Sequence, residues 1–172
     1  PFLNNRKGRA EIFSYGHRNP QGMALHPKTG KIWVHEHGPQ GGDEINILKA
    51  GANYGWPKTT FGEQYGGGKI GIGPKSPGIE EPLLHWTPSI APSGMDFYQG
   101  DIFPNWNGDL LVGSLLFRML VRVDLEGSLL QGQEGVFQDR IGRIRDVRVS
   151  PEGKVYLLND EYRGGIFRLD PL

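Results

Sequence analysis

The sequence predicts an all-β fold made of neighbouring blades of a β-propeller, and two observations lead to that prediction. Short runs rich in β-branched and aromatic residues alternate with Gly, Pro, Asn and Asp, while helical periodicity is scarce. A strand–turn–strand–turn–strand pattern also recurs, beginning near Gly22, Gly94 and Asp146. A single small antiparallel sheet cannot bury both faces, whereas sheets stacked around an axis cover one another. We therefore expect about three blades, each an antiparallel sheet of about four strands.

The composition fits a packed domain with many turns. The 172 residues include 27 Gly and 13 Pro, yet 37% are hydrophobic and the aromatic residues are spread along the chain, which argues against disorder. Nineteen basic and 19 acidic residues balance without a block of one sign, so we expect no nucleic-acid partner. No apolar run predicts a membrane span, and the absence of Cys gives no indication of redox compartment.

The three copies of the repeat are unevenly spaced. They cover 22–48, 94–124 and 146–169, and the stretch from Gly51 to Ser93 separates the first two copies. That stretch is rich in Gly, Pro, Tyr and Trp, and a long insertion in a compact domain is usually functional. A passive loop is the alternative.

Three blades are too few for a closed ring, since closed propellers have about four or more. The chain also begins at Pro1 without Met or a signal segment. We therefore expect residues 1–172 to be a single partial propeller domain, the C-terminal half of a longer chain whose N-terminal half closes the ring. Signal cleavage is the alternative explanation for the start.

A Gly/Pro-rich turn between Glu36 and Glu44 is a candidate metal site. Such a turn exposes backbone carbonyls beside carboxylates, which suits a hard cation such as calcium. The spacing is not that of an EF-hand, and a plain Gly-rich hairpin is an equal alternative. His35 and His37 would share one face of a strand, but no third zinc ligand follows, so we expect structural or supporting histidines.

Two basic segments are candidate anion sites. The turn 17–22 presents donors from Arg18, Asn19 and Gln21, although composition alone favours a surface loop. Arg143 and Arg145 share one face of a predicted strand and could clamp a ligand with several carboxylates. Solvated or Asp-paired arginines are the commoner outcome. Motifs for nucleophilic hydrolysis, nucleotide binding and nicotinamide chemistry are absent from the sequence.

Five ordered segments together resemble one family across nearly the whole chain. They are Gly16–Met23, Glu36–Asn46, Asn53–Pro57, Trp86 with Ala91–Gly94, and Arg143–Val147. The chain resembles the soluble PQQ-dependent glucose or aldose sugar dehydrogenases, which are six-bladed β-propellers. This resemblance implies an enzyme that oxidises aldose sugars at C1 to lactones by hydride transfer to calcium-bound PQQ.

The resemblance also implies roles for individual residues. Arg18 and Asn19 match residues that contact the quinone and reach toward substrate, Trp86 matches an aromatic beside cofactor and sugar, and Arg143 and Arg145 match arginines that bind PQQ carboxylates. His37 and Asp43 lie in the same loop as the metal turn and are further cofactor candidates.

Calcium is implied at one catalytic site and one structural site. Gly38 and Pro39 match residues whose backbone carbonyls hold the catalytic ion, and Glu80 is a candidate ligand for a structural ion. The family's general base is a His in the N-terminal half, so no His here is assigned to that role. The family further implies a periplasmic or secreted protein and a possible homodimer; the electron acceptor stays open.

Two departures from the family pattern leave an alternative open. Leu116 follows the run Leu111–Leu115 where the family has a PQQ-binding Lys, and Leu83 replaces an aromatic that some members place near the sugar. The missing cation favours a non-catalytic propeller that binds calcium or another ligand, while the arginine pair and the turn at Gly38 favour the dehydrogenase.

Overall fold

The computed structural model describes residues 1–2 and 8–171, and it confirms the all-β prediction. The described residues form eleven strands in three antiparallel sheets, and their one helical element is a single 3-10 turn, Pro104–Trp106. In this described part, no helix has the length and apolar character needed to cross a membrane.

Each sheet corresponds to one copy of the sequence repeat. The first blade contains β1 (Pro20–Leu25), β2 (Ile32–Glu36), β3 (Asp43–Ile47) and β4 (Leu84–Trp86). The second contains β5 (Pro92–Phe97), β6 (Leu110–Ser114), β7 (Met119–Glu126) and β8 (Leu129–Val136). The third contains β9 (Ile144–Val149), β10 (Val155–Asn159) and β11 (Ile166–Leu169). Successive strands pair with their sequence neighbours, as a meander requires.

Turn glycines make the short connections possible. Gly30 (φ 64°) closes the turn between β1 and β2, where its N–H donates to the carbonyl of His26. Gly153 (φ 77°) does the same between β9 and β10, with its N–H on the carbonyl of Ser150. Positive φ is strained for residues with a Cβ, so Gly is favoured at both turns.

The blades pack face to face, and their inner strands are close neighbours. Strand β1 packs against β5, and β5 packs against β9. Gly22 and Gly94 permit this approach, because a Cβ at either position would collide with His35 or Asp146 respectively. Ser93 Oγ also donates to the Ile144 carbonyl at 2.6 Å, which joins the second blade to the third.

Two apolar layers lie between the blades. The layer between the first and second includes Trp33, Ile45, Trp86, Met95, Phe97 and Val112. The layer between the second and third includes Tyr98, Leu111, Leu120, Ile144, Val147 and Leu157. Strand alternation sends one set of side chains into each layer, as Leu111 and Val112 illustrate.

Strand register gathers the predicted site segments at one end of the blades. Pro20 pairs with Glu36, Asp43 with Trp86, and Asn159 with Ile144. The start of β5 joins this group, because His37 Nε2 lies 2.6 Å from the Pro92 carbonyl. We call the end that holds the starts of β1, β5 and β9 the top face.

The structure differs from the sequence prediction in strand number and placement. The third blade has three strands in the described residues, where about four were expected. Strand β4 lies inside the stretch 51–93, which the repeat spacing predicts to be an insertion, and it completes the first blade. Strand β8 was also missed, because Gly132 and Gly135 interrupt a polar run without a strand signature.

Candidate functional site

A groove along the inner strands contains the predicted site residue Arg145. It has a volume of about 360 Å³. The lining comes from all three blades: Gln21, Gly22, Met23, Ser93, Gly94, Met95, Arg145, Asp146, Arg148 and Leu158. We call it the axial groove. Its lining mixes two arginines and one aspartate with amide and apolar side chains, which suits a polar ligand.

Arg143 and Arg145 lie on the same side of the chain at the start of β9, as the sequence predicted. Ile144 between them is fully buried, whereas both arginines are exposed. Arg145 donates to Asp160 at 2.6 Å, and Arg143 reaches the same oxygen at 3.4 Å. The Arg145 bond lowers the pKa of Asp160 below its usual range. The arginines are therefore Asp-paired, and Arg145 also lines the axial groove.

The turn before β1 presents Asn19 and Arg18 in different directions. Asn19 is exposed, and its Oδ1 accepts a hydrogen bond from Gln21, which lines the axial groove. Arg18 is half-buried, and its Nη1 donates to the His37 and Gly38 carbonyls at 3.0 and 2.8 Å. Its guanidinium carbon lies 5.4 Å from the Trp56 ring centroid, within cation–π range.

The turn at Gly38 and Pro39 supplies two backbone carbonyls but few other ligands for calcium. Both residues are buried, and the Gly38 carbonyl already accepts the Arg18 hydrogen bond. In the described residues, no group of three or more His, Cys, Asp or Glu side chains is placed to hold a metal. Calcium takes about six to eight oxygens, so most ligands of an ion here would have to come from elsewhere.

Asp43 and His37 hold the turn at Gly38 and Pro39 against neighbouring segments. Asp43 is buried and accepts the Gly38 N–H at 3.0 Å, the Ser89 hydroxyl at 2.6 Å and the Ile90 N–H at 2.9 Å. His37 donates from Nε2 to the Pro92 carbonyl at 2.6 Å. Both side chains therefore join the first blade to the start of the second, a role the sequence did not indicate.

Two further carboxylates, those of Glu36 and Glu44, line the same small cavity as Arg18. Asn46 Nδ2 donates to Glu36 at 3.2 Å and to Glu44 at 3.1 Å, while its Oδ1 is buried without a partner in the structure. Burial, more than the nearby Glu36 charge, raises the pKa of Glu44 to about 7. A cavity of about 10 Å³ adjoins both carboxylates and Thr59. This volume is close to that of one water-sized probe.

Trp86 is not brought to the axial groove. Its indole packs in the layer between the first and second blades, and Nε1 donates to Gln133 at 2.7 Å. With Phe117 and Met119 it lines a separate space of about 310 Å³ between those blades. Packing between the blades sets the position of the Trp86 ring, and the spacing of residues in the sequence gives no information on that packing.

Glu80 and the two departures from the family pattern, Leu116 and Leu83, do not line the axial groove. The Glu80 carboxylate forms an ion pair with Lys49, so a cation already occupies the predicted structural-calcium ligand. Leu116 is exposed in the turn between β6 and β7. Leu83 packs against the layer between the first two blades.

Sequence reasoning missed the residues that hold the predicted ones in place. Glu36 organises the turn of Arg18, and Asp160 pairs with the arginines. Glu36 had one usable signal, because it is a carboxylate at the end of a strand that begins with the apolar run Ile-Trp-Val. Asp160 is fifteen residues from Arg145, and only the β9–β10 pairing brings them together.

Comparison with known proteins identifies the family. The sequence profile of the family described as Glucose / Sorbosone dehydrogenase matches residues 1–168. The chain belongs to this family. The aldose sugar dehydrogenase YliI of Escherichia coli K12 is 44% identical over 173 residues, covering 99% of the chain and 47% of that protein.

Solved structures agree with this assignment. A crystal structure of a glucose dehydrogenase superposes with a TM-score of 0.96 at 46% identity, over 100% of the chain and 50% of that protein. The PQQ-bound aldose sugar dehydrogenase of Streptomyces coelicolor superposes with a TM-score of 0.72 at 28% identity, over 92% of the chain and 45% of that protein. The chain thus spans about half the length of the relatives it matches.

Proposed function

We propose that this chain forms part of a quinoprotein that oxidises aldose sugars at C1 to lactones, with PQQ as the hydride acceptor. One observation carries the proposal. Arg145 and Gln21 both line the axial groove, and Gln21 donates a hydrogen bond to Asn19. Family membership and the PQQ-bound relative support the cofactor. PQQ, when bound, would supply an electrophilic quinone able to take a hydride.

The arginines would bind and orient the cofactor. Arg143 and Arg145 present two guanidinium groups against one carboxylate, so the segment keeps a net positive charge. Planar guanidinium groups bind carboxylates through paired, charge-assisted hydrogen bonds. Arg148, which also lines the groove, adds positive charge farther along β9, although Asp146 pairs with it at 3.2 Å.

Calcium would bind at the Gly38 and Pro39 carbonyls and would polarise the quinone oxygen as a Lewis acid. These two oxygens are a minority of the coordination that calcium takes, and Arg18 shares one of them. The fit is therefore partial in this chain. His37 and Asp43 would act indirectly, by holding this turn against the start of β5.

The general base would come from outside this chain. Of the histidines near the top face, His17 contacts Ser14 and Glu36, His37 contacts the Pro92 carbonyl, and His35 is fully buried. None is placed at the axial groove. This arrangement supports the expectation that the base lies in an N-terminal half.

The outer faces of the first and third blades support the proposal that the complete protein has further blades. Leu25 is 65% exposed on the β1 face that points away from the second blade, and Ile166 is 73% exposed on the far side of the third. Apolar side chains on both open faces need covering. We propose that further blades of the same protein cover them, and we place that protein in the periplasm or outside the cell.

A non-catalytic propeller that binds calcium or another ligand without turnover is the second candidate function. Leu116 favours it, because a side chain that is 55% exposed at the top face carries no charge where the family has a lysine. Asp160 also competes with any anion for both arginines.

Titration of PQQ in the presence of calcium, followed by a dye-linked aldose assay, tests the proposal on the complete protein that carries this chain. We expect saturable PQQ binding and sugar-dependent dye reduction. Binding without turnover would favour the second candidate. Absence of PQQ binding would refute the dehydrogenase proposal.

A further inference from the structure

Glu36 is a buried carboxylate that holds the turn before β1. It is the last residue of β2 and only 4% exposed. Its Oε2 accepts the backbone N–H of Arg18 at 2.5 Å and, more weakly, that of Asn19 at 3.4 Å. Its Oε1 accepts the Nδ1–H of His17 at 2.9 Å. One carboxylate therefore takes hydrogen bonds from three consecutive residues.

The Glu36 carboxylate is also held in place by residues other than those of the turn. Asn46 on β3 donates to Oε1 at 3.2 Å, and the backbone pairing of Pro20 with Glu36 sets the distance to β1. His17 is held on its other side by Ser14 Oγ, 2.9 Å from Nε2, and stacks on Tyr54 with ring centroids 4.7 Å apart. The position of the Glu36 carboxylate is thus set by the pairing of β1 with β2 and by its hydrogen-bonded neighbours.

The consequence of this anchoring reaches the guanidinium of Arg18. Fixing the Arg18 N–H sets the direction in which its side chain leaves the backbone. The side chain then spans the carbonyls of His37 and Gly38 and lies over Trp56. Charge-assisted hydrogen bonds to a buried carboxylate are stronger than neutral ones, so Glu36 is suited to holding this turn in one conformation.

We propose that Glu36 is the positioning residue for Arg18: it fixes the turn from which the arginine reaches the Gly38 carbonyl, in the turn proposed to hold calcium. The inference rests on the proposed function for the role of Arg18, but the anchoring itself is a property of the chain. Glu36 contacts no part of the axial groove lining, so it acts through the turn and not on a ligand directly.

A double-mutant cycle in the complete protein tests this inference. Glu36→Gln keeps the shape of the side chain and removes its charge. We expect it to weaken PQQ binding about tenfold when Arg18 is present and less than about twofold in an Arg18→Ala background, because coupled residues are non-additive. A loss of equal size in both backgrounds would overturn the inference.

A second measurement does not depend on PQQ. The ¹⁵N resonance of the Arg18 guanidinium, assigned by its disappearance in Arg18→Lys, should shift in Glu36→Gln. Asp109→Asn is the matched control, since Asp109 is also buried and bonds an arginine, Arg122, at the opposite end of the second blade. The control should lower stability without moving the Arg18 signal.

The outcomes separate the two proposals. If the unmodified protein binds no PQQ, the proposed function fails, and the Arg18 resonance alone decides the role of Glu36. An unchanged resonance in Glu36→Gln overturns the positioning role whatever PQQ does. Should Glu36→Gln fail to fold, Glu36→Asp, which keeps the charge but withdraws it by one methylene, replaces it in both measurements.

Discussion

Arg145 donates a hydrogen bond of 2.6 Å to Asp160, so the arginine that enters the axial groove is already held by a carboxylate of its own blade. Arg143 reaches the same carboxylate oxygen. One negative charge shared between two positive ones orients the guanidinium groups without neutralising the pair. An incoming anion would therefore meet a preorganised positive site, and this arrangement leads to the first prediction.

Replacing Arg145 by Ala should weaken PQQ binding roughly ten- to a hundredfold in the complete protein, because a charge-assisted contact contributes about 1.5–3 kcal/mol. Arg143→Ala should act in the same direction. Isothermal titration measures both. Arg168→Ala is the control, since Arg168 pairs with Asp170 away from the groove. Unchanged affinity in both test variants would remove the arginine pair from the cofactor site.

Asp43→Ala should destabilise the protein by about 2–5 kcal/mol, because it leaves the buried N–H groups of Gly38 and Ile90 without their acceptor. Urea denaturation gives the change in unfolding free energy. Asp101→Ala, at an exposed aspartate, should change it little. A change below about 1 kcal/mol for Asp43→Ala would contradict the joining role of this carboxylate.

Glu44 should make the protein less stable as pH rises. Its pKa is about 7 in the folded chain against 4.5 for the ordinary group, so the folded state binds more protons between those values. Unfolding free energy therefore falls over this window, by about 3 kcal/mol in total. Glu44→Gln should remove that fall in chelator-treated protein, as measured by urea titrations from pH 4 to pH 8. The same slope in both proteins would exclude Glu44 as its source.

His35 should have the opposite effect. Burial lowers its pKa from 6.5 to about 4, so the unfolded state binds more protons in that window and acid destabilises the fold. The Ser93 backbone opposes this pKa shift only in part, because neither ring nitrogen reaches the geometry of a normal hydrogen bond. His35→Leu should therefore gain about 2–3 kcal/mol over the parent between pH 8 and pH 4.5. Parallel stability curves for parent and variant would disprove the assignment.

These two groups oppose each other over nearly the same pH range. Their contributions should consequently largely cancel in the parent protein, and the single variants should differ from it with slopes of opposite sign. Neither slope could be predicted from the sequence, because each depends on burial in the folded chain: His35 lies near Ser93, and Glu44 lies on β3 near Glu36.

The strands themselves were largely predictable. Periodic apolar residues and Gly/Pro turns located nine of the eleven strands to within a few residues, because each strand carries its own burial pattern. The exceptions are β4, which has three residues, and β8, whose glycines and polar residues hide the alternation. Both are outermost strands, where one neighbour is missing and the demand for apolar residues is weaker.

Site residues were predictable only where a short motif carried them. The Arg143–Arg145 spacing survives in the structure because alternation within one strand is local. The direction of Arg18 toward the Gly38 carbonyl is not local, since it depends on Glu36, eighteen residues away in a paired strand. The position of Trp86 could not be predicted for the same reason, because its hydrogen-bond partner Gln133 belongs to another blade.

The chain studied alone should be inactive and should self-associate. Leu25 and Ile166 stand on opposite open faces, each more than half exposed, and apolar faces of this kind are covered in a stable propeller. We expect no sugar-dependent dye reduction with PQQ and calcium, together with concentration-dependent association in analytical ultracentrifugation. Leu25→Asp with Ile166→Asp should reduce that association in the isolated chain and destabilise the complete protein, because the same two side chains would then be buried as charges. Robust turnover by the isolated chain would refute the half-propeller proposal, since it would require every catalytic group, including the base, to lie within these residues.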